Sequence, residues 1–230
     1  MARHQASISA MHFHPQLKAL VTGSWDKTVK LWDPRAPSAD RQDENNLRST
    51  LSIDLPERVY SLDIDKGPLM IAALASRLIV AYDLRHPGKP FKTLYSALSF
   101  QSRCVKLSGP GFILGSVEGR CALYDWKEPK PFTFKAASDK RHAVNAIALK
   151  SATVFGTACS DGQVNFWDLA KRSALKSIRT GTDPVTALAM NPKRTKMAYS
   201  IGYDWSHGLS GYRSKGSQIV IDVPPAEPRS

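Results

Sequence analysis

The stretch Val21–Arg35, VTGSWDKTVKLWDPR, decides how the rest of the chain is read. ALVTGS and TVKLWD, rich in β-branched residues, flank the polar Trp25-Asp26-Lys27, and a second Trp-Asp pair follows at Trp32-Asp33. Two such runs around a short polar turn describe a β-hairpin. The layout recurs. Aligned on the aspartate that follows an aromatic residue, VKLWD closes at Asp33, LIVAYD at Asp83, CALYD at Asp125 and VNFWD at Asp168, at intervals of 50, 42 and 43 residues.

A β-rich repeat of about 40–45 residues closing on Trp-Asp marks WD-type propeller blades. The first interval is longer because of the polar segment Ala36–Thr50, read as an exposed loop. ISAMHF, VNAIAL, TVFGTAC, VTALAM and KMAYSI repeat the short-strand pattern, and no long window carries a helical stripe. The fold class is all-β, a WD-repeat β-propeller of about five blades, each expected to be a four-stranded antiparallel sheet. Residues 1–223 are assigned to it and the Pro-rich residues 224–230 to a disordered tail.

Likeness to WD repeats also implies a buried polar network: a loop histidine bonds the turn aspartate, and a serine or threonine bridges to the indole N–H. By spacing these are His4, Ser24, Asp26 and Trp32. A buried indole needs an acceptor and a buried carboxylate needs donors, so the set is structural rather than a catalytic triad. The other repeats are degenerate. Near Trp167 the set becomes Asp161, Cys159 and Lys140, with His142 out of register. Near Tyr124 it becomes Ser116, Glu118 and Gln101. The repeat ending at Asp83 has Leu74 and Ser76.

Thirty-two basic residues against twenty acidic ones give a net charge of +12, which favours nucleic acid or acidic protein segments as partners, against the plain alternative of a solvated basic surface. Cys104, Cys121 and Cys159 are odd in number and lack metal-ligand spacing, so a reducing compartment is expected. The N-terminus lacks a secretory apolar core, and no apolar run is long enough to cross a bilayer. Gly109–Ser116 misses the dinucleotide and phosphate-loop patterns and reads as a turn entering a strand. His12 and His14 lack a third zinc ligand. No nucleophile–base pair, metal site, cofactor or small-molecule substrate is expected.

In order along the chain, TGSWDKTVKLWDPR, LPERVYSLD, GSVEGR, FTFK, AVNAIAL, CSDGQVNFWD and YDWSHG resemble the nuclear-pore mRNA export factor family, the poly(A)+ RNA export WD-repeat proteins. The Bub-type mitotic-checkpoint WD-repeat proteins are a sister group and share GSWDKT and EGR, whereas YDWSHG (Tyr203–Gly208) resembles the export factors. The resemblance implies a scaffold that is not an enzyme. Its partners would be a GLEBS segment of a nucleoporin, and RNA, at the nucleus and its pore, with a cytoplasmic pool as a further location. The alternative is a spindle-checkpoint adaptor binding a kinase GLEBS motif at kinetochores. The binding face implied comprises Arg120, Phe134, Lys135, Trp167, Asp168 and Arg172. Arginine offers a fork to carboxylates or phosphates, and an exposed aromatic offers an anchor. Blade core is the competing role for Phe134 and Trp167, and solvated surface for the two arginines.

Two departures stand out. The family continues Phe-x-Phe-Lys into Cys-His-Arg, whereas Lys135 is followed by Ala136, Ala137 and Ser138, leaving Lys140 and Arg141 to supply charge. The family also closes with seven blades, so about two N-terminal blades are expected to be missing, with truncation the favoured account.

Overall fold

The computed structural model describes residues 3–35, 49–128, 130–140, 142–212 and 216–226. The chain divides into two compact units, Met1–Ser96 and Ala97–Ser230. In the first, blade 1 comprises β1 (Ile8–His14), β2 (Ala19–Ser24), β3 (Thr28–Trp32) and β4 (Ser49–Asp54). Blade 2 comprises β5 (Val59–Ile64), β6 (Leu69–Leu74), β7 (Leu78–Asp83) and β8 (Lys92–Tyr95). In the second, blade 3 comprises β9 (Ser102–Ser108), β10 (Gly111–Ser116), β11 (Arg120–Asp125) and β12 (Phe132–Lys135). Blade 4 comprises β13 (Val144–Leu149), β14 (Val154–Cys159), β15 (Gln163–Asp168) and β16 (Ser173–Arg179), and blade 5 β17 (Val185–Met190), β18 (Met197–Ile201) and β19 (Gln218–Asp222).

Every blade is an antiparallel meander in sequence order. The fold is all-β, of the WD-repeat propeller type, with two blades in one unit and three in the other. Two expectations are corrected. Blade 5 has three strands rather than four among the described residues. The loop expected over Ala36–Thr50 ends earlier, because Ser49 and Thr50 open β4, where Ser49 pairs with Trp32. Residues 36–48, Arg141 and residues 227–230 of the expected tail lie outside the described residues.

Within each unit, successive blades stack by one rule. The face turned towards the following blade (the forward face) packs on that blade's opposite, rear face. Val21, Val29 and Leu31 of blade 1 meet Val59, Leu62 and Tyr82 of blade 2. Cys104, Ile113 and Cys121 of blade 3 meet Val144, Ile147 and Phe155 of blade 4. Val164 and Phe166 of blade 4 meet Val185, Leu188 and Tyr199 of blade 5. Each large apolar side chain buried there contributes roughly 1.5–3 kcal/mol. The strands alternate, so each residue's parity fixes its face.

The first strand of every blade carries an irregularity after its first residue, placing Ser9, Tyr60, Arg103, Asn145 and Thr186 opposite no partner. Such a bulge re-aims a side chain. Ser9 Oγ donates to the Val59 carbonyl at 2.6 Å, and Asn145 Nδ2 donates to the Val185 carbonyl at 2.9 Å, stitching each blade to the next. Close approach at these junctions needs small residues. A Cβ on Gly23 would lie 2.7 Å from Val59 Cγ1, and one on Gly115 would lie 2.8 Å from Val144 Cγ1.

The repeated aspartate has a local cause. Asp33, Asp83 and Asp125 accept the backbone N–H two residues on, from Arg35, Arg85 and Lys127, and Asp168 accepts that of Lys171 three on. Each carboxylate thus caps the turn that sends the chain towards the outer strand. Hydrogen bonds from the Arg35 and Arg85 guanidiniums and backbones hold Asp33 and Asp83 down at about 2.

Candidate functional site

The polar network of blade 1 runs through Thr22. Trp32 Nε1 donates to Thr22 Oγ1 at 2.7 Å, Thr22 Oγ1 lies 2.7 Å from His4 Nε2, and His4 Nδ1 lies 2.8 Å from Asp26 Oδ2. With the His4 proton on Nδ1, every group has its complement: indole to hydroxyl, hydroxyl to Nε2, Nδ1–H to carboxylate. The expected bridging role of Ser24 is corrected. Trp32 pairs with Leu20, so Thr22 is its diagonal neighbour on the same face, while Ser24 lies four residues, roughly 13 Å, along β2. Ser24 Oγ instead accepts the Asp26 N–H and donates to the Ala6 carbonyl. Burial alone would raise Asp26; hydrogen bonds from Thr28, the Gln5 N–H and His4 outweigh it and bring the carboxyl down to about 2.

Blade 4 keeps half of this apparatus. Trp167 Nε1 donates to Thr157 Oγ1 at 3.0 Å, the counterpart of Thr22, so Cys159 at the serine position costs the indole nothing. Asp161 accepts the Ser138 N–H at 2.7 Å, as Asp26 accepts that of Gln5, and Glu118 of blade 3 accepts that of Ser99. Judged by these bonds, the residue corresponding to His4 is Ala137 in blade 4 and Leu98 in blade 3, both buried, rather than Lys140 and Gln101. The entering loops differ in length, which shifts the count.

The implied binding residues fall into two groups. Cys121 pairs with Phe134 and Leu123 with Phe132, so both phenylalanines share the face turned to blade 4. Phe134 lies 4.5 Å between ring centroids from Trp167 and 6.3 Å from Phe155. The turn after β15 brings in Arg172, whose φ of 53° is unusual for a non-glycine residue. Its guanidinium sits 5.3 Å from the Phe132 ring, a cation–π contact. Phe132, Phe134, Phe155, Trp167, Asp168 and Arg172 thereby line one shallow depression at the seam of blades 3 and 4. Phe134 and Trp167 are half-buried, core on one side and depression wall on the other.

Arg120 and Lys135 are cross-strand partners on the opposite face of the β11–β12 ladder. Arg120 donates to Thr133 Oγ1 at 3.2 Å, and Lys135 is exposed. Asp168, which also lines the depression, is largely buried, and its Oδ1 accepts the Lys171 N–H. In the turn after β15 and along the outer strand β16, Lys171, Arg172, Lys176 and Arg179 are exposed, and none forms an ion pair among the described residues; Lys176 pairs with Phe166 and so lies on the face turned to blade 5. Residues 97–230 hold 19 Lys and Arg against 10 Asp and Glu, so nine of the twelve net positive charges belong to this unit.

Four contributors escape residue-by-residue reading. Phe132 was signalled by the i, i+2 period of Phe-x-Phe, and Thr22 and Thr157 by their diagonal to the tryptophans. Asp204, inside YDWSHG, is buried and accepts from Ser160 Oγ at 2.6 Å and Asn145 Nδ2 at 3.5 Å, tying its loop to blade 4. Burial would raise it, but Ser160, Ser206 and Asn145 bond the charged form and lower it on balance. The three thiols are buried and free, and burial pushes Cys104 up to about 12. Among the described residues no group of three or more His, Cys, Asp or Glu is placed to hold a metal. No described helix is long and apolar enough to cross a membrane.

The family model "WD domain, G-beta repeat" matches residues 1–33, the start of blade 1. Along most of the chain the similarity is to whole WD-repeat proteins. It is 36% identical to "mRNA export factor GLE2" of Chaetomium thermophilum, over 92% of this chain and 60% of that protein. It is 34% identical to "Protein Rae1" of Drosophila melanogaster, over 96% of this chain and 66% of that protein. It is 34% identical to "Poly(A)+ RNA export protein" of Schizosaccharomyces pombe, over 91% and 61%. The chain thus spans somewhat under two thirds of the length of these relatives. Repeat spacing, blade topology and a similarity that runs through both units together place the chain in the WD-repeat mRNA export factor family.

Proposed function

We propose that this chain is a scaffold of mRNA export that performs no reaction, binding a GLEBS-containing nucleoporin and RNA and acting at the nuclear pore. The observation that carries the reading is the depression between blades 3 and 4. Its lining is mostly aromatic and is rimmed by the Arg172 guanidinium, and the outer strand of the same blade carries exposed Lys176 and Arg179. It is too shallow to enclose a small substrate, and it suits an inserted apolar side chain flanked by acidic groups. Arg172, already stacked on Phe132, is oriented before any partner arrives, which reduces the ordering cost of binding. Lys171, Lys176 and Arg179 extend the positive surface along the edge of blade 4, where phosphates of RNA would be held without base specificity. Relatives named as mRNA export factors support the same role.

The test is a titration with a nucleoporin GLEBS peptide, beside a checkpoint-kinase GLEBS peptide and single-stranded RNA. Arg172→Glu is expected to weaken nucleoporin-peptide binding at least about tenfold, about 1.4 kcal/mol, while circular dichroism stays unchanged. Undiminished affinity would remove the depression from the site. Tighter binding of the kinase peptide would turn the assignment to a checkpoint adaptor.

A further inference from the structure

Trp25, Arg58 and Tyr60 form a surface cluster where blades 1 and 2 meet, wholly inside the first unit. The Arg58 guanidinium lies 5.9 Å from the centroid of each ring, and the two rings meet edge to face at 6.2 Å. The fold does not require these side chains. In each blade the residue after the second strand donates its N–H to the residue before the first: Trp25 to Ser7, Ala75 to Arg58, Val117 to Gln101, Ser160 to Ala143 and Gly202 to Pro184. These bonds, with the bulge residues, align the junctions. Where Trp25 meets Arg58 and Tyr60, Val117 of blade 3 corresponds to Trp25, with Ala143 and Asn145 of blade 4 in the other two places; at the next junction the set is Ser160, Pro184 and Thr186. Smaller, uncharged side chains thus close the other two junctions. Trp25 is 45% exposed and Arg58 is exposed. None of the three side chains has a hydrogen-bond or ion-pair partner among the described residues, Arg58 bonding only through its backbone.

We infer that this cluster is a contact point for single-stranded RNA, with a base stacked on the Trp25 ring and the adjoining phosphate held by Arg58. The inference rests on the RNA-binding half of the proposed function and adds a second site, on the unit that does not contain the depression. Aromatic faces accept bases of any sequence, and an arginine offers a stacking plane together with a fork for phosphate oxygens. A single strand sets a phosphate beside every base, which matches a ring and a cation placed side by side. Both are arranged in advance. The turn carrying Trp25 is pinned by its own N–H on the Ser7 carbonyl and by Asp26, which accepts the Thr28 N–H. The β5 bulge holds Tyr60 against the guanidinium. Glu57, the carboxylate next to Arg58 in the chain, pairs with Lys27 at 3.5 Å and leaves the Arg58 charge unneutralised. The net charge of +12 adds attraction for a polyanion.

The experiment uses the full chain and labelled single-stranded oligoadenylate in anisotropy titrations over a range of salt concentrations, with a nucleoporin GLEBS peptide titrated in parallel. Trp25→Leu removes the ring face and is expected to lower RNA affinity about tenfold, about 1.4 kcal/mol, with the salt dependence unchanged. Trp25→Phe keeps a ring and is expected to recover most of that loss. Arg58→Ala is expected to weaken binding and to reduce the slope of log affinity against log salt by about 0.7, the value of one phosphate contact on a single strand. Trp25 and Arg58 lie at the surface, and circular dichroism checks that the fold is kept. Affinity left unchanged by both Trp25→Leu and Arg58→Ala would overturn this site while leaving RNA binding elsewhere on the chain intact. Variants that weaken the peptide and not the RNA would give the cluster to a protein partner and overturn it as well. A wild-type chain that binds no RNA would overturn it together with the RNA half of the proposed function.

Discussion

Replacing Thr22 by valine tests whether the opening hairpin is held by the bridge found here. Valine keeps the shape and removes one hydroxyl. Trp32 Nε1–H then loses its acceptor and His4 Nε2 its donor, in a site where Thr22 and Trp32 are both buried. A buried polar group without a partner costs about 1–3 kcal/mol, so two orphaned groups set the loss at about 2–6 kcal/mol. Ser24→Ala removes two bonds of 3.1 Å whose other ends, the Ala6 carbonyl and the Asp26 N–H, lie at the rim where water replaces them. Its cost is about 1 kcal/mol. Thr157→Val in blade 4 orphans one half-buried indole and falls between. Urea unfolding by circular dichroism gives the total, and amide exchange on β2 and β3 reports the first unit's own opening energy, since the chain comprises two units. A Ser24→Ala loss equal to or larger than that of Thr22→Val would refute the bridging geometry.

Asp26 is held below its ordinary 3.8, at about 2, so its bonds stabilise the fold fully above about pH 4 and that stability drains away as pH falls towards 2. Asp26→Asn is expected to flatten this part of the stability-versus-pH curve; an unchanged slope would show that other carboxylates set it. Gly115→Ala would place a Cβ 2.6 Å from Cys104 Sγ and 2.8 Å from Val144 Cγ1, and is expected to cost about 1–3 kcal/mol in urea unfolding. Asp204→Ala leaves Ser160 and Asn145 short of a partner and is expected to lower stability by about 1–3 kcal/mol and to release the loop after β18 in amide exchange. The buried thiols should react with a disulfide reagent only as the chain unfolds; rapid modification of the native protein would contradict their burial.

Much of the fold was legible because propeller blades are written in local code. Alternation gave strand faces, and the aromatic–aspartate ending recurs because each aspartate caps a turn within three residues of itself. What could not be read is what crosses between strands. The choice of Thr22 over Ser24 depends on which residue of β2 faces Trp32, and spacing along one strand says nothing of that diagonal. Asp204 bonds residues 44 and 59 positions away. In the candidate site, Phe134, Trp167 and Arg172 were named from a resemblance and are brought together. Arg120 and Lys135 are on the far side of their ladder, a consequence of parity that a motif written as a string conceals.

The blades also show which part of the polar network the architecture requires. In blades 1, 3 and 4 a backbone N–H from the entering loop reaches the acid of the following turn, from Gln5 to Asp26, Ser99 to Glu118 and Ser138 to Asp161. The residue just before that donor is His4 in blade 1, Leu98 in blade 3 and Ala137 in blade 4, and the latter two are buried apolar side chains. The N–H fixes the loop against the turn whatever precedes it, because a charge-assisted bond to backbone needs no particular side chain. Histidine adds a second tie through Thr22 to the tryptophan, whereas leucine adds roughly 1.5–3 kcal/mol of burial at the same place. A side chain that can be exchanged for apolar volume is a stabilising device and not a reactive centre. The same substitution explains why blades 3 and 4, without the histidine, still present a firmly held seam on which Phe132, Trp167 and Arg172 converge.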